Sequence, residues 1–252
     1  MSRTKKALLF TLALLPIVIV AGIFSARYSI KLIDPALLHQ AIEQIGSETV
    51  LIAVTAAQTV LYAAVCGFFG YILSDRIGLM RPLRIERKPL LITLIVSVVF
   101  GAVFSLDAWT FGKWVPEIGA SYIAAGTFDA DIWIASILYG GVIEEVMMRL
   151  FLMSLVAFLL WKLFFRKKET VPTGVLITAN AAAAVLFATG HLPSTAVTFG
   201  MLTPLLLLRC FLLNGAFGLL FGRLYRTYGI QYAVLCHALL HIVSRTIWLI
   251  AF

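Results

Sequence analysis

The chain has 252 residues, 62% hydrophobic and 13% charged, with a mean hydropathy of +1.01. A soluble domain carries about a quarter charged residues, so this composition excludes one and indicates an all-α, polytopic transmembrane helical bundle embedded in a lipid bilayer. The net charge of +8 does not point to nucleic acid. The lysines and arginines cluster in short loops, as the positive-inside rule describes for cytoplasmic loops.

In chain order, Arg3, Lys5 and Lys6 precede the apolar run Ala7–Ala26, which reads as a retained first helix with its N-terminus in the cytoplasm. Arg27–Glu48 is a mixed polar connector with the character of a surface-lying helix. Thr49–Ser74 is the second span. Asp75–Pro89, with Arg76, Arg81, Arg84, Arg87 and Lys88, is the strongest cytoplasmic loop. Leu90–Leu106 is the third span. Asp107–Asp131 is acidic and carries Trp109, Trp114 and Tyr122, which suits an outward-facing interfacial loop. Ile132–Trp161 is the fourth span, followed by the basic Lys162–Lys168. Pro172–Gly190 is the fifth, Pro204–Tyr225 the sixth, and Ile230–Ile250 the last. The count is seven, or eight if the short Ser194–Thr203 segment crosses or re-enters. Gly215, Gly218 and Gly222 fall three and four apart, making a flat face for a packed neighbour. The chain reads as one membrane domain, with leading spans over 1–131 and a functional core over 132–252.

Charged groups inside a bilayer are rare and mark function. The fourth span holds Glu144, Glu145 and Arg149. Glu145 and Arg149 stand at i,i+4 with the acid first, the favoured order for a helix ion pair, and read as structural. Glu144 points about 100° away if the span is α-helical, with Met148 at its i+4 position. It lies roughly 20 Å below Asp131 at 1.5 Å per residue, and a free carboxylate at that depth is a candidate general base. His237 and His241 share one face of the last span at i,i+4, able to bind a metal or to donate N–H groups to an oxyanion. Arg245, one turn further, is expected to snorkel toward the interface. His191 closes the fifth span ahead of Pro193. This set suits water activation and charge stabilisation, and equally a proton relay; spacing alone does not choose.

Four segments, in order, resemble the CPBP intramembrane proteases, a group of CAAX and bacteriocin-processing enzymes. Glu144-Glu145-x-x-x-Arg149 resembles their EExxxR motif and Phe187-x-x-x-His191 their FxxxH motif. The Asn214–Tyr225 stretch is similar to their glycine-rich segment, and His237-x-x-x-His241 stands where they carry HxxxN. The resemblance covers about Ile132–Ile250 and implies a conical intramembrane catalytic cavity. Within it Glu144 and His191 would activate water, and His237 with the residue at 241 would stabilise the oxyanion. Glu145, Arg149 and Phe187 would support the site. Substrates would be membrane-associated or lipidated proteins or peptides. Position 241 departs from the family as His rather than Asn. Neutral histidine donates from only one ring nitrogen, and a third histidine makes a zinc site of Glu144, His191, His237 and His241 chemically reasonable. A non-enzymatic immunity, resistance or partner protein of the same fold is the alternative. A transporter ranks last, since no inverted repeat is visible.

Counting from helix ends raises one geometric conflict. Straight spans would put His191 near the outer face and His237 roughly 10 Å from the inner one. A break near Gly190–Pro193 is therefore expected, because broken backbone is tolerated where it lines a cavity.

Overall fold

The computed structural model describes all 252 residues and is entirely helical. Seven helical stretches are long and apolar enough to cross a membrane. We label the helices α1 (Arg3–Leu32), α2 (Pro35–Ile45), α3 (Glu48–Arg76), α4 (Arg87–Ser105), α5 (Pro116–Ala125), α6 (Ala130–Phe164), α7 (Thr173–Gly190), α8 (Leu192–Phe199), α9 (Pro204–Tyr228) and α10 (Ile230–Ala251). The chain is thus an integral, multi-pass helical bundle. Its apolar surface outside the core, such as Leu61, Ile95, Val98 and Val197, matches lipid contact rather than water.

Capping and charge fix the ends. Ser2 accepts from the Lys5 amide to start α1, and Asp34 and Ser47 do the same for α2 and α3. α2 buries no residue, as expected of a connector lying on the surface. At one end of the bundle Arg3 pairs with Asp75, joining the start of α1 to the end of α3. At the other, Arg27 donates to Asp131 at 2.7 Å and Lys31 reaches both Asp129 and Asp131 at 2.7 Å, tying α1 to α6. The Lys31 ammonium holds the Asp129 carboxyl below the usual aspartate range.

The acidic 107–131 stretch is not only a surface loop. It folds into two short 3₁₀ turns and then α5. Asp107 is buried, with its carboxylate clasped by Arg209 of α9 and by the Tyr122 hydroxyl of α5. Burial and the Asp107 charge both push the Tyr122 phenol upward. Nothing in the local sequence pairs Asp107 with Arg209, which stand 102 residues apart.

α6 departs from α-helical geometry. Ala135–Glu144 and Val146–Met153 are π-helical, with the wider i→i+5 turn. The step between Glu144 and Glu145 is therefore somewhat smaller than in an α-helix, and the two side chains still point apart. Such turns concentrate at functional sites, and this one carries both glutamates.

α9 and α10 are joined by a one-residue turn at Gly229, whose φ of 115° favours glycine. The small-residue face of α9 packs as expected, with Gly218 against Ala184 and Gly222 against Asn180 of α7. An apolar core of α6, α7, α9 and α10 residues, including Leu150, Met153, Ala157, Phe221 and Tyr225, with Ile77 and Leu79 just after α3, fills the half of the bundle nearer the basic loops. The Tyr225 hydroxyl bonds Ser74 at 2.7 Å and Ser154 at 2.8 Å, locking three helices in that core.

Removing one partner of a buried ion pair strands the other charge and costs about 3–5 kcal/mol. Asp107→Asn should therefore lower the unfolding temperature in detergent markedly, whereas the exposed Glu43→Gln should not. Equal stability of the two variants would contradict the buried Asp107–Arg209 clasp.

Candidate active site

Gly140 and Gly141 let α10 approach α6 closely. A Cβ on Gly141 would stand 2.7 Å from the Cβ of Ala238, and one on Gly140 would stand 2.9 Å from His241 Nε2. Both contacts are shorter than real Cβ atoms show, so neither position accepts a side chain without movement. The absence of those two side chains leaves space for the His237 and His241 rings against the glutamates.

Glu145 and Arg149 form the expected pair, with Oε1 3.1 Å from Nη1 and side chains 0% and 1% exposed. The contact is electrostatic rather than an aligned hydrogen bond, because both Arg149 Nη atoms and Glu145 Oε2 lack hydrogen-bond partners. Aromatic faces complete the cation's surroundings. Arg149 sits 4.5 Å from the Phe187 ring centroid and 5.3 Å from that of Phe221. The pair has a third member that sequence spacing could not reveal. His237 Nδ1 lies 2.9 Å from Glu145 Oε1, with its ring stacked on Phe221 at 4.3 Å. Glu145 thus joins α6 to α10 as well as closing its own helix turn.

Glu144 faces elsewhere. Its nearest ionisable partner is His191, with Oε1 3.9 Å from Nε2, beyond direct hydrogen-bond reach. These two side chains keep 20% and 29% exposure, unlike the sealed Glu145. His191 Nδ1 lies 2.8 Å from the Phe187 carbonyl, which accepts only if Nδ1 carries the proton. That assignment leaves the Nε2 lone pair facing Glu144. Phe187 also meets the His191 ring edge-on at 4.6 Å.

The interruption expected near Gly190–Pro193 is present but mild. α7 ends at Gly190, His191 keeps right-handed helical angles, and α8 resumes at Leu192 with Pro193 in its first turn. The feared separation of His191 from His237 does not arise, because helix ends are not membrane faces. α6 has 35 residues, far more than a bilayer needs. Its Ser154, ten residues inside the end at Phe164, is level with Tyr225 near the Gly229 turn. The end of α6 therefore extends past the start of α10, which lies against the 75–89 loop through Gln231 and Tyr232, and His237 arrives beside Glu145.

Glu144, His191, His237 and His241 line one cavity of about 360 Å³, together with Phe187 and Arg245. Arg245 does not snorkel as expected. It lines this cavity, and its Nε donates to Ser136 Oγ at 3.0 Å. Residues 1–131 also contribute to the wall, through Ser25, Tyr28 and Phe104. His237 and His241 face each other Nε2 to Nε2 at 3.2 Å. As for zinc, no three His, Cys, Asp or Glu groups converge to hold a metal ion. The four groups form two separate pairs, Glu144 with His191 and His237 with His241.

Comparison with known families fits this geometry. The family model described as type II CAAX prenyl endopeptidase Rce1-like matches residues 126–243. The match spans α6 through most of α10 and agrees with the resemblance to CPBP proteases. No curated protein and no solved structure matches the chain. The matched region contains Glu144, His191, His237 and His241.

Gly141→Ala tests the close approach within the matched region. Overpacking of this kind costs about 1–3 kcal/mol. The variant should unfold at a lower temperature, while Gly174→Ala, where a Cβ meets nothing within 4 Å, should not. An unperturbed Gly141→Ala would contradict the α6–α10 contact.

Proposed function

We propose that the chain is an intramembrane endopeptidase in which Glu144 and His191 activate water. The observation that carries this reading is the 3.9 Å gap between the Glu144 carboxylate and His191 Nε2 inside a shared cavity. A water bonded to both groups bridges such a gap. Glu144 takes the proton as the water oxygen attacks the scissile carbonyl, and His191 holds the water through its Nε2 lone pair. The proton then passes to the leaving amine.

The His237–His241 pair is the candidate oxyanion site. Glu145 holds the His237 Nδ1 proton, so while both rings are neutral a single N–H lies between the facing Nε2 atoms. That N–H belongs to His241, rests on His237 Nε2 before substrate binds, and turns from it to the developing oxyanion as the tetrahedral intermediate forms. His237 is the positioning residue that fixes the His241 tautomer. This refines the role implied by resemblance, in which both side chains donate. Glu145, Arg149 and Phe187 hold the frame.

The catalytic core is assigned to residues 132–252, with α1 and α4 completing the wall. By the positive-inside rule, the basic loops at 75–89 and 162–168 and the N-terminus lie in the cytoplasm. Substrates are membrane-attached proteins or peptides; sequencing of new peptide termini in cells would identify them.

Glu144→Gln keeps size and shape while removing the base. Loss of a general base costs about 10²–10⁴-fold in rate. The variant should fold with an unchanged unfolding temperature, and the new termini made by the wild-type chain should vanish. Undiminished cleavage by Glu144→Gln would overturn the assignment.

A further inference from the structure

The cavity is closed at one end of the bundle and open at the other. Below Glu144, on the side of the basic loops, the path runs into the sealed core of Leu150, Met153, Phe221 and Tyr225, none more than 1% exposed. At the opposite end the catalytic cavity continues into a second space of about 330 Å³. The two share His191, Asn214, His241 and Arg245. The outer space reaches Ser121 and Tyr122 of α5 and Thr198 and Phe199 at the end of α8.

That mouth lies at the acidic end. α5 follows the 3₁₀ turns that end α4, and Asp129 and Asp131 begin α6 there beside Arg27 and Lys31. Most basic side chains stand at the other end, in the 75–89 and 162–168 loops, beside Arg3, Lys5 and Lys6 and near Arg223 and Arg226. At the mouth end, Arg27, Lys31 and Arg209 are each neutralised by an aspartate. The bias in short loops is what sets orientation across a membrane.

We infer that the catalytic cavity opens on the face of the membrane away from the cytoplasm. It therefore takes peptide segments of exported or outer-leaflet-anchored proteins, not chains presented from the cytoplasm. This rests on the protease reading for the word catalytic, but the direction of opening stands on charge and packing alone. A chain presented from the cytoplasmic face would meet the sealed core and not the mouth.

Labelling tests the direction without relying on activity. Thr198→Cys lines the mouth and is exposed, and Arg166→Cys lies on an exposed basic loop. The unsubstituted chain, with Cys66, Cys210 and Cys236, is the background control. In bacterial spheroplasts making each variant, a membrane-impermeant maleimide should label Thr198→Cys before permeabilisation and Arg166→Cys only after it. The reverse pattern overturns the inference, and so does a Thr198→Cys protected under both conditions, since the mouth would then not be open to water. A quenched, impermeant peptide added outside spheroplasts should be cleaved by the wild-type chain and not by Glu144→Gln. Outward labelling with no such cleavage, and with no new protein termini lost in Glu144→Gln, would sink the protease reading and leave the orientation intact.

Discussion

One carboxylate, Glu145, holds the centre of this protein together. Its Oε1 meets Arg149 on its own helix and His237 on α10, and all three side chains are buried. A lone charge at this depth would be prohibitive, and an arginine beneath two phenyl rings is no exception without its acid. Glu145 therefore fixes the spacing of α6 and α10. The Gly140-Gly141 pair makes that spacing short enough for the histidines to fit. The arrangement also leaves three polar atoms of the pair without hydrogen bonds, a cost of the kind that functional sites retain.

Glu145 Oε1 is taken by Arg149 and His237, whereas the adjacent Glu144 faces the cavity. The π-helical turn sends the two neighbouring carboxylates to different partners, one to a sealed cluster and one to His191. Two identical side chains, side by side in sequence, thus acquire different surroundings. His241 joins the same network, with its Nε2 3.2 Å from His237 Nε2. Glu145 Oε1 lies 2.9 Å from His237 Nδ1, and the other ring nitrogen of His237 faces His241. A single carboxylate orders both the frame and the hydrogen-bond chain that ends in the cavity.

Much of the architecture was legible in the sequence because lipid leaves a chain few choices. Seven apolar runs became seven long helices, and the i,i+4 spacing of Glu145 and Arg149 foretold their contact. What spacing could not supply was contact between elements and departure from α geometry. The Glu145–His237 bond joins residues 92 apart. The Asp107–Arg209 clasp joins residues 102 apart, and nothing local marks Asp107 as buried. Arg245 was misjudged because a cation near a helix end ordinarily reaches for the interface, whereas here Ser136 and the cavity receive it. The depth of His237 cannot be counted from helix ends, because the end of α6 extends past the start of α10.

The claim that Glu145 and His237 act as one unit is most directly tested by a double-mutant cycle. Unfolding free energies in mixed detergent would be measured for Glu145→Gln, His237→Gln and the double variant. Side chains that share a buried contact show coupling of about 0.5–3 kcal/mol. The account predicts coupling in that range, with the double variant less destabilised than the sum of the two single changes. Strict additivity would show that the two side chains do not meet, and would contradict it.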